Sequence, residues 1–278
     1  MKNTSISLFI LLFSLCGCTA VNDQPTPTTV KDQPSAPVAA QSATTLDPAR
    51  PPSGNFDLSH WDLTLPDSKP TTIRASRIAA GYTSPNFYTG DDGAMVFWSP
   101  STGGHTANST HTRSELREQI DPVTSHLNWH CAGDHIMHNR CKVLQVGETG
   151  EVIIGQIHGA PSGANPVCKI YWTKGQLTAR CHADPSSSRE PKYVLGKAPL
   201  GSMIDYTIEM KDGLLIVTVG GVTVTQDDNA GWGETEMYFK AGCYNQDIAA
   251  DQPDTVGCRV AFYSLPRPIH TPTDPAAH

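Results

Sequence analysis

The sequence predicts an all-β protein, a β-sandwich of jelly-roll type, over about residues 53 to 270. Three observations carry that expectation. From Asn55 onward, short β-branched or aromatic runs alternate with clusters of Gly, Pro, Asn and Asp, the pattern of successive short strands. Two pairs of such runs are joined by dipeptides suited to a tight hairpin: Lys174-Gly175 within KIYWT-KG-QLTAR, and Gly220-Gly221 within LLIVTV-GG-VTVT. Helical periodicity is scarce, and strands this closely spaced favour one sandwich over several domains.

The N-terminus is organised differently. Lys2 precedes an apolar run from Ile6 to Leu15 that is too short to span a bilayer and is flanked like an export signal. Leu15-Cys16-Gly17-Cys18 resembles a bacterial lipobox, which makes Cys18 the expected lipidated residue; cleavage near Ala20 with release is the alternative. Residues 19–52 are rich in Pro, Thr, Ala, Gln and Ser and lack the bulky apolar side chains a core needs. The expected organisation is a lipoprotein-type signal at 1–18, a flexible linker at 19–52 and a folded domain at 53–278. The mature protein is expected outside the cytoplasm, as an outer-membrane lipoprotein or secreted. Its membrane contact would be through the anchor alone, and a monomer is expected.

Cys131, Cys141, Cys168, Cys181, Cys243 and Cys258 fall within the domain, and an even number in an exported protein suggests disulfides. Counting outward from the Lys174-Gly175 turn sets Cys168 opposite Cys181 in a non-hydrogen-bonded pair, within disulfide reach. Sequence proximity suggests Cys131 with Cys141 and Cys243 with Cys258. The formal charge of −7 argues against nucleic acid as a partner. A polyanionic ligand would have to meet a local basic groove on an acidic body.

Three segments carry polar residues on one face at the strand period of two. In RSELREQ, Arg113, Glu115, Arg117 and Gln119 share a face, an acid set between two arginines. In VIIGQIHG, Gln156 and His158 share a face, so an amide neighbours an imidazole. In YFKAGCYNQ, Tyr238, Lys240, Gly242, Tyr244 and Gln246 align while Phe239, Ala241 and Cys243 face the core; Gly242 leaves space between Lys240 and Tyr244. Each segment alone also reads as a solvated strand or a hydrogen-bonded structural histidine. Their recurrence in one chain points to a site.

RSELR, QIH and YFKAGCYNQ, in that order, resemble the three signature blocks of the family-7 polysaccharide lyases, the alginate lyases. The resemblance extends through Trp61-Asp-Leu-Thr-Leu-Pro66 and Tyr82 to Ser99. It implies a jelly roll with a concave substrate groove floored by the three blocks, a lyase that needs no metal or other cofactor, and alginate as partner. Carried over by position, Arg113, Gln156, His158 and Tyr244 form the catalytic set. Arg117, Glu115, Lys240, Gln246 and Tyr238 bind substrate or line the groove. Isoleucine at the centre of QIH, Ile157, is linked by the resemblance to guluronate-containing blocks, without deciding between guluronate and mannuronate.

β-Elimination from a uronate removes H5 and expels O4. The substrate carboxylate must first be neutralised, a task suited to Arg113 and Gln156. For guluronate the expected base is His158 and the acid Tyr244; for mannuronate, its C5 epimer, Tyr244 serves as both in turn. Lys240 or Arg117 would favour the phenolate. A non-catalytic carbohydrate-binding sandwich would not need this titratable set. A hydrolase would need two carboxylates flanking the bond, and Glu115 is the single acid on the three faces. The run His126, His130, Cys131, His135, His138 and Cys141 matches no standard zinc spacing.

Overall fold

A computed structural model describes residues 45–124, 127–248 and 251–272. The signal, Cys18, most of the linker and His126 lie outside the described residues. Among them, sixteen strands run β1 (Trp61–Leu65), β2 (Thr71–Ile73), β3 (Phe87–Thr89), β4 (Met95–Pro100), β5 (Arg113–Glu118), β6 (Asp134–Gln145), β7 (Glu151–Gly159), β8 (Pro166–Thr173), β9 (Gln176–Cys181), β10 (Lys192–Lys197), β11 (Met203–Lys211), β12 (Leu214–Val219), β13 (Val222–Asp227), β14 (Met237–Asn245), β15 (Gly257–Ser264) and β16 (Ile269–Thr271). Only three helices, each of four or five residues, accompany them.

The strands form two antiparallel sheets, ordered β10-β9-β8-β7-β14-β5-β1-β2 and β13-β12-β11-β6-β15-β4-β3, with β16 on β6. Both hairpins form as expected. Thr173 pairs with Gln176 and Val219 with Val222, and positive φ at both turn residues (48° and 88°; 56° and 86°) gives the primed turns that suit strand twist. Between the sheets the inward halves of the alternating strands bury one continuous apolar core, including Trp61, Phe97, Leu116, Ile157, Phe239 and Phe262.

The folded body starts earlier than composition suggests. Leu46 packs on the core, and Asn55 donates to the carbonyls of Asp47 and Gly93. The chain is therefore anchored from about residue 46, within the expected linker.

Of the three expected cysteine pairs, the fold brings two together and holds one apart; all six side chains are buried. Cys168 and Cys181 do oppose one another across β8 and β9, and Cys243 Sγ reaches the Cys258 carbonyl at 3.2 Å across the two sheets. A Cys131–Cys141 bridge is excluded by the fold. β6 pairs without a break along β11, so seven residues at about 3.3 Å each put Asp134 and Cys141 roughly 23 Å apart. Three further residues recover at most about 10 Å, and a disulfide tolerates about 7 Å between Cα atoms.

Candidate active site

The three polar blocks become three adjacent strands. β14 lies between β7 and β5, and its register sets Tyr238 beside His158, Lys240 between Gln156 and Arg117, and Tyr244 beside Arg113. Residues far apart in sequence thus converge on the outer face of the first sheet. Gly242 makes the close fit possible: at φ +149° it sits against β5, where a Cβ would lie 2.7 Å from the Ser114 carbonyl. Its missing side chain makes room for the close approach of the neighbouring strand.

Glu115 is the hub of the site. It is 1% exposed, ion-paired with Lys240 and, at 3.4 Å, with Arg113, and it accepts a hydrogen bond from Gln156 Nε2. Burial raises its carboxyl, but Lys240 and Arg113 outweigh that and hold it below the usual range. Lys240 is lowered to about 8, first by burial and then by Arg113, against the pull of Glu115. The two cations and one anion leave a net positive charge, the local basic centre that a polyanion requires. Arg113 Nε and Gln156 Oε1 are buried without hydrogen-bond partners.

His158 has a defined tautomer. Its Nδ1 lies 2.8 Å from the Gly159 carbonyl, which can only accept, so Nδ1 carries the proton and Nε2 keeps its lone pair. Burial, then the Lys240 charge, lowers its pKa to about 4. Tyr238 stacks on its ring at 5.5 Å and fixes its plane.

Tyr244 is held from two sides. The Arg113 guanidinium lies 3.7 Å from its ring centroid, and its hydroxyl is 2.9 Å from Ser109 Oγ. Ser109 and His111 belong to a loop that lines a cleft of about 440 Å³ against Tyr244. Burial and then Arg113 push His111 below its ordinary value. Sequence reading missed both residues, although their position just before Arg113, the strand neighbour of Tyr244, is the signal that places them there.

Several expectations are corrected. Arg117 does not flank Glu115: its guanidinium covers Tyr238 at 3.9 Å and donates to the Glu118 carbonyl and Asn128 Oδ1. The cation beside Tyr244 is Arg113, in place of Lys240 or Arg117. Gln246 falls beyond the end of β14 and turns its amide back onto the Tyr244 and Asn245 carbonyls. Gln119 donates to Asp62, away from the cluster. The His/Cys run disperses: His130 meets the Glu234 carbonyl, His135 meets His270, His138 meets Thr207, and Cys141 is in the core. Among the described residues no group of three such ligands could hold a metal ion.

An open polar floor with a neutral imidazole, a phenol and a carboxylate-neutralising cluster, on one face of a jelly roll, defines a polysaccharide lyase. The chain belongs to the alginate lyase family, whose model matches residues 56–266, and it is an alginate-cleaving enzyme. The crystal structure of alginate lyase A1-II′, a member of polysaccharide lyase family 7, is 38% identical with a TM-score of 0.75, covering 80% of this chain and 100% of that one. Alginate lyase PA1167 from Pseudomonas aeruginosa is 33% identical with a TM-score of 0.72, covering 77% and 100%. An alginate lyase of Klebsiella pneumoniae is 28% identical over 283 residues, 77% of this chain and 90% of the relative. A variant of A1-II′ has been crystallised in complex with the substrate GGMG.

Proposed function

We propose that this lyase works through Arg113, Gln156, His158 and Tyr244 as one catalytic set, acting on guluronate and mannuronate by different assignments of the same groups. The observation that carries the reading is the His158 tautomer. With Nδ1–H given to the Gly159 carbonyl and the ring neutral, Nε2 is a free base at the groove floor.

The substrate carboxylate meets the Arg113 guanidinium and the second amide hydrogen of Gln156. As H5 leaves, charge spreads into that carboxylate, and these fixed donors stabilise the developing dianion; each such donor is worth roughly 3–4 kcal/mol. For guluronate, His158 Nε2 takes H5 and Tyr244 delivers its phenolic proton to O4. The C4–O4 bond breaks as the C4–C5 double bond forms. For mannuronate, Tyr244 as phenolate takes H5 and returns the proton to O4 on the same face, with Arg113 the cation against its ring. Glu115 positions Arg113, Lys240 and Gln156. Tyr238 buttresses His158, and Arg117 orders Tyr238 from the other side.

The wider reading is of an exported enzyme held by a lipid at Cys18 on a spacer, with alginate as its polymer partner. Adjacency of Cys168 to Cys181, and of Cys243 to Cys258, supports their oxidation to disulfides in that compartment. The reaction is tested by incubating the full chain with alginate in chelator. Ultraviolet-absorbing unsaturated oligosaccharides are expected; new reducing ends without that absorbance would mean hydrolysis.

A further inference from the structure

The loop between β4 and β5 reaches the phenol of the site. His105 bridges back to Thr112, so this stretch folds as one turn with Ser109 inside it. Its foot is fixed in the body of the sandwich. Thr112 is buried, its Oγ1 donates to the Pro100 carbonyl and lies 2.8 Å from Ser99 Oγ, and its carbonyl accepts Asn245 N at the end of β14.

Ser109 Oγ has three partners. His111 N donates to it at 3.0 Å, it donates to the His111 carbonyl at 3.2 Å, and the Tyr244 hydroxyl lies at 2.9 Å. A serine hydroxyl has one hydrogen and two lone pairs, so these three contacts fill it. While Tyr244 is a phenol, it donates to Ser109, and Ser109 gives its own hydrogen to the His111 carbonyl. A phenolate can only accept, so that arrangement ends once the phenolic proton has left. Turning the Ser109 hydrogen about the Cβ–Oγ bond then aims it at the phenolate oxygen, at the expense of the His111 carbonyl alone, while His111 N still donates to Ser109.

The other neighbours of Tyr244 do not supply this contact. Among the described residues, Ser109 is the only hydrogen-bond partner of the Tyr244 hydroxyl. Arg113 covers the ring face from β5, His111 meets the ring edge-on at 6.2 Å, and β7 opposes it with Ile153. His105 lines the same cleft, and Lys240, further along β14, is turned to Glu115.

We propose that Ser109 is a positioning residue for Tyr244, a hydroxyl that accepts from the phenol and donates to the phenolate and so serves both halves of the proton transfer. The proposal rests on the reading of Tyr244 as the acid and base of the reaction. In guluronate cleavage the phenolic proton passes to O4, and Ser109 stabilises the phenolate left behind. In mannuronate cleavage the proton has gone to water beforehand, and Ser109 holds the phenolate that takes H5. Ser109 keeps one hydrogen throughout and exchanges none with substrate.

The test compares kcat of Ser109→Ala with wild type, in the full chain, on poly-mannuronate and poly-guluronate across neutral to alkaline pH. A hydrogen bond to a charged group is lost, and part of it is felt in each transition state, so a fall of about three- to ten-fold is expected on both polymers at neutral pH. The ratio of variant to wild-type kcat should then climb with pH on both. On mannuronate, rising pH makes the phenolate without help from Ser109; on guluronate, the variant keeps its phenol to higher pH than the wild type. Arg113, His105, His111 and Lys240 are present in both proteins, so their own titrations divide out of the ratio. Ser109→Thr, which retains the hydroxyl, should give a ratio near one with no slope. A Ser109→Ala ratio that is near one at neutral pH or flat with pH, as a merely structural loop residue would give, or an equal slope in Ser109→Thr, would overturn the proposal while leaving the role of Tyr244 intact. Wild-type rates in Tyr244→Phe would instead strike the catalytic reading on which it rests.

Discussion

Replacing Lys240 with Met tests whether Glu115 is the hub of the site. Lys240 is 6% exposed and Glu115 1%, so the ammonium is the closest counter-charge of a carboxylate that water does not reach. Removing one partner of a buried ion pair costs about 3–5 kcal/mol, since the other charge stays buried without it. Gln156 and the longer Arg113 contact remain, which favours the low end, about 3 kcal/mol. In a folded body of this size, each kcal/mol lowers Tm by about 2–4 °C, so a fall of about 6–12 °C is expected by calorimetry. Glu115→Gln on that background removes the stranded charge and should restore at least half of the loss. The deficit of the single variant should also shrink in acid. Glu115 has a depressed pKa in the wild type, so its contribution is present above the ordinary carboxylate value and is lost as pH falls through the folded one. A Lys240→Met melt within about 1 °C of wild type, or a double variant whose losses simply add, would refute the hub.

Three further outcomes are expected. His158→Asn should lose guluronate cleavage far more than mannuronate cleavage, measured on the two homopolymers; in the wild type, the acid limb of guluronate cleavage should lie near pH 4, where His158 gains its proton, and a limb near 6.5 would contradict the depressed value. Cys18→Ser should move the protein from the membrane fraction to the soluble fraction, and a wild-type protein already soluble after export would end the lipobox reading.

Much of the architecture was legible because half-buried strands print their two faces on the sequence. Phe239, Ala241 and Cys243 are buried, while Tyr238 and Tyr244 on the other face are only partly covered. Hairpin turns were legible because their backbone demands Gly or a tolerated positive φ at fixed positions. Which strands become neighbours was not legible: β14 sits between β7 and β5 through pairings more than seventy residues apart, which no local pattern encodes. The same gap explains the errors. Lys240 and Arg117 were both placed on the right face, but only the register decides that Lys240 takes Glu115 while Arg117 turns to Tyr238. Cys131 and Cys141 looked like a pair because they are close in sequence, but most of the segment between them is the extended strand β6. Ser109 and His111 were missed because a loop of small polar residues carries no periodicity.

The central claim is that a single phenol, Tyr244, supplies the proton to O4 in every cleavage. Tyr244→Phe keeps the ring under Arg113 and removes only the hydroxyl, and the decisive measurement is the rate of unsaturated-product formation on poly-guluronate and poly-mannuronate alongside oligosaccharide affinity. The account predicts a loss of about 10²–10⁴ or more on both polymers, as for a missing general acid, with affinity and fold retained. Wild-type rates on either polymer, with circular dichroism unchanged, would contradict it.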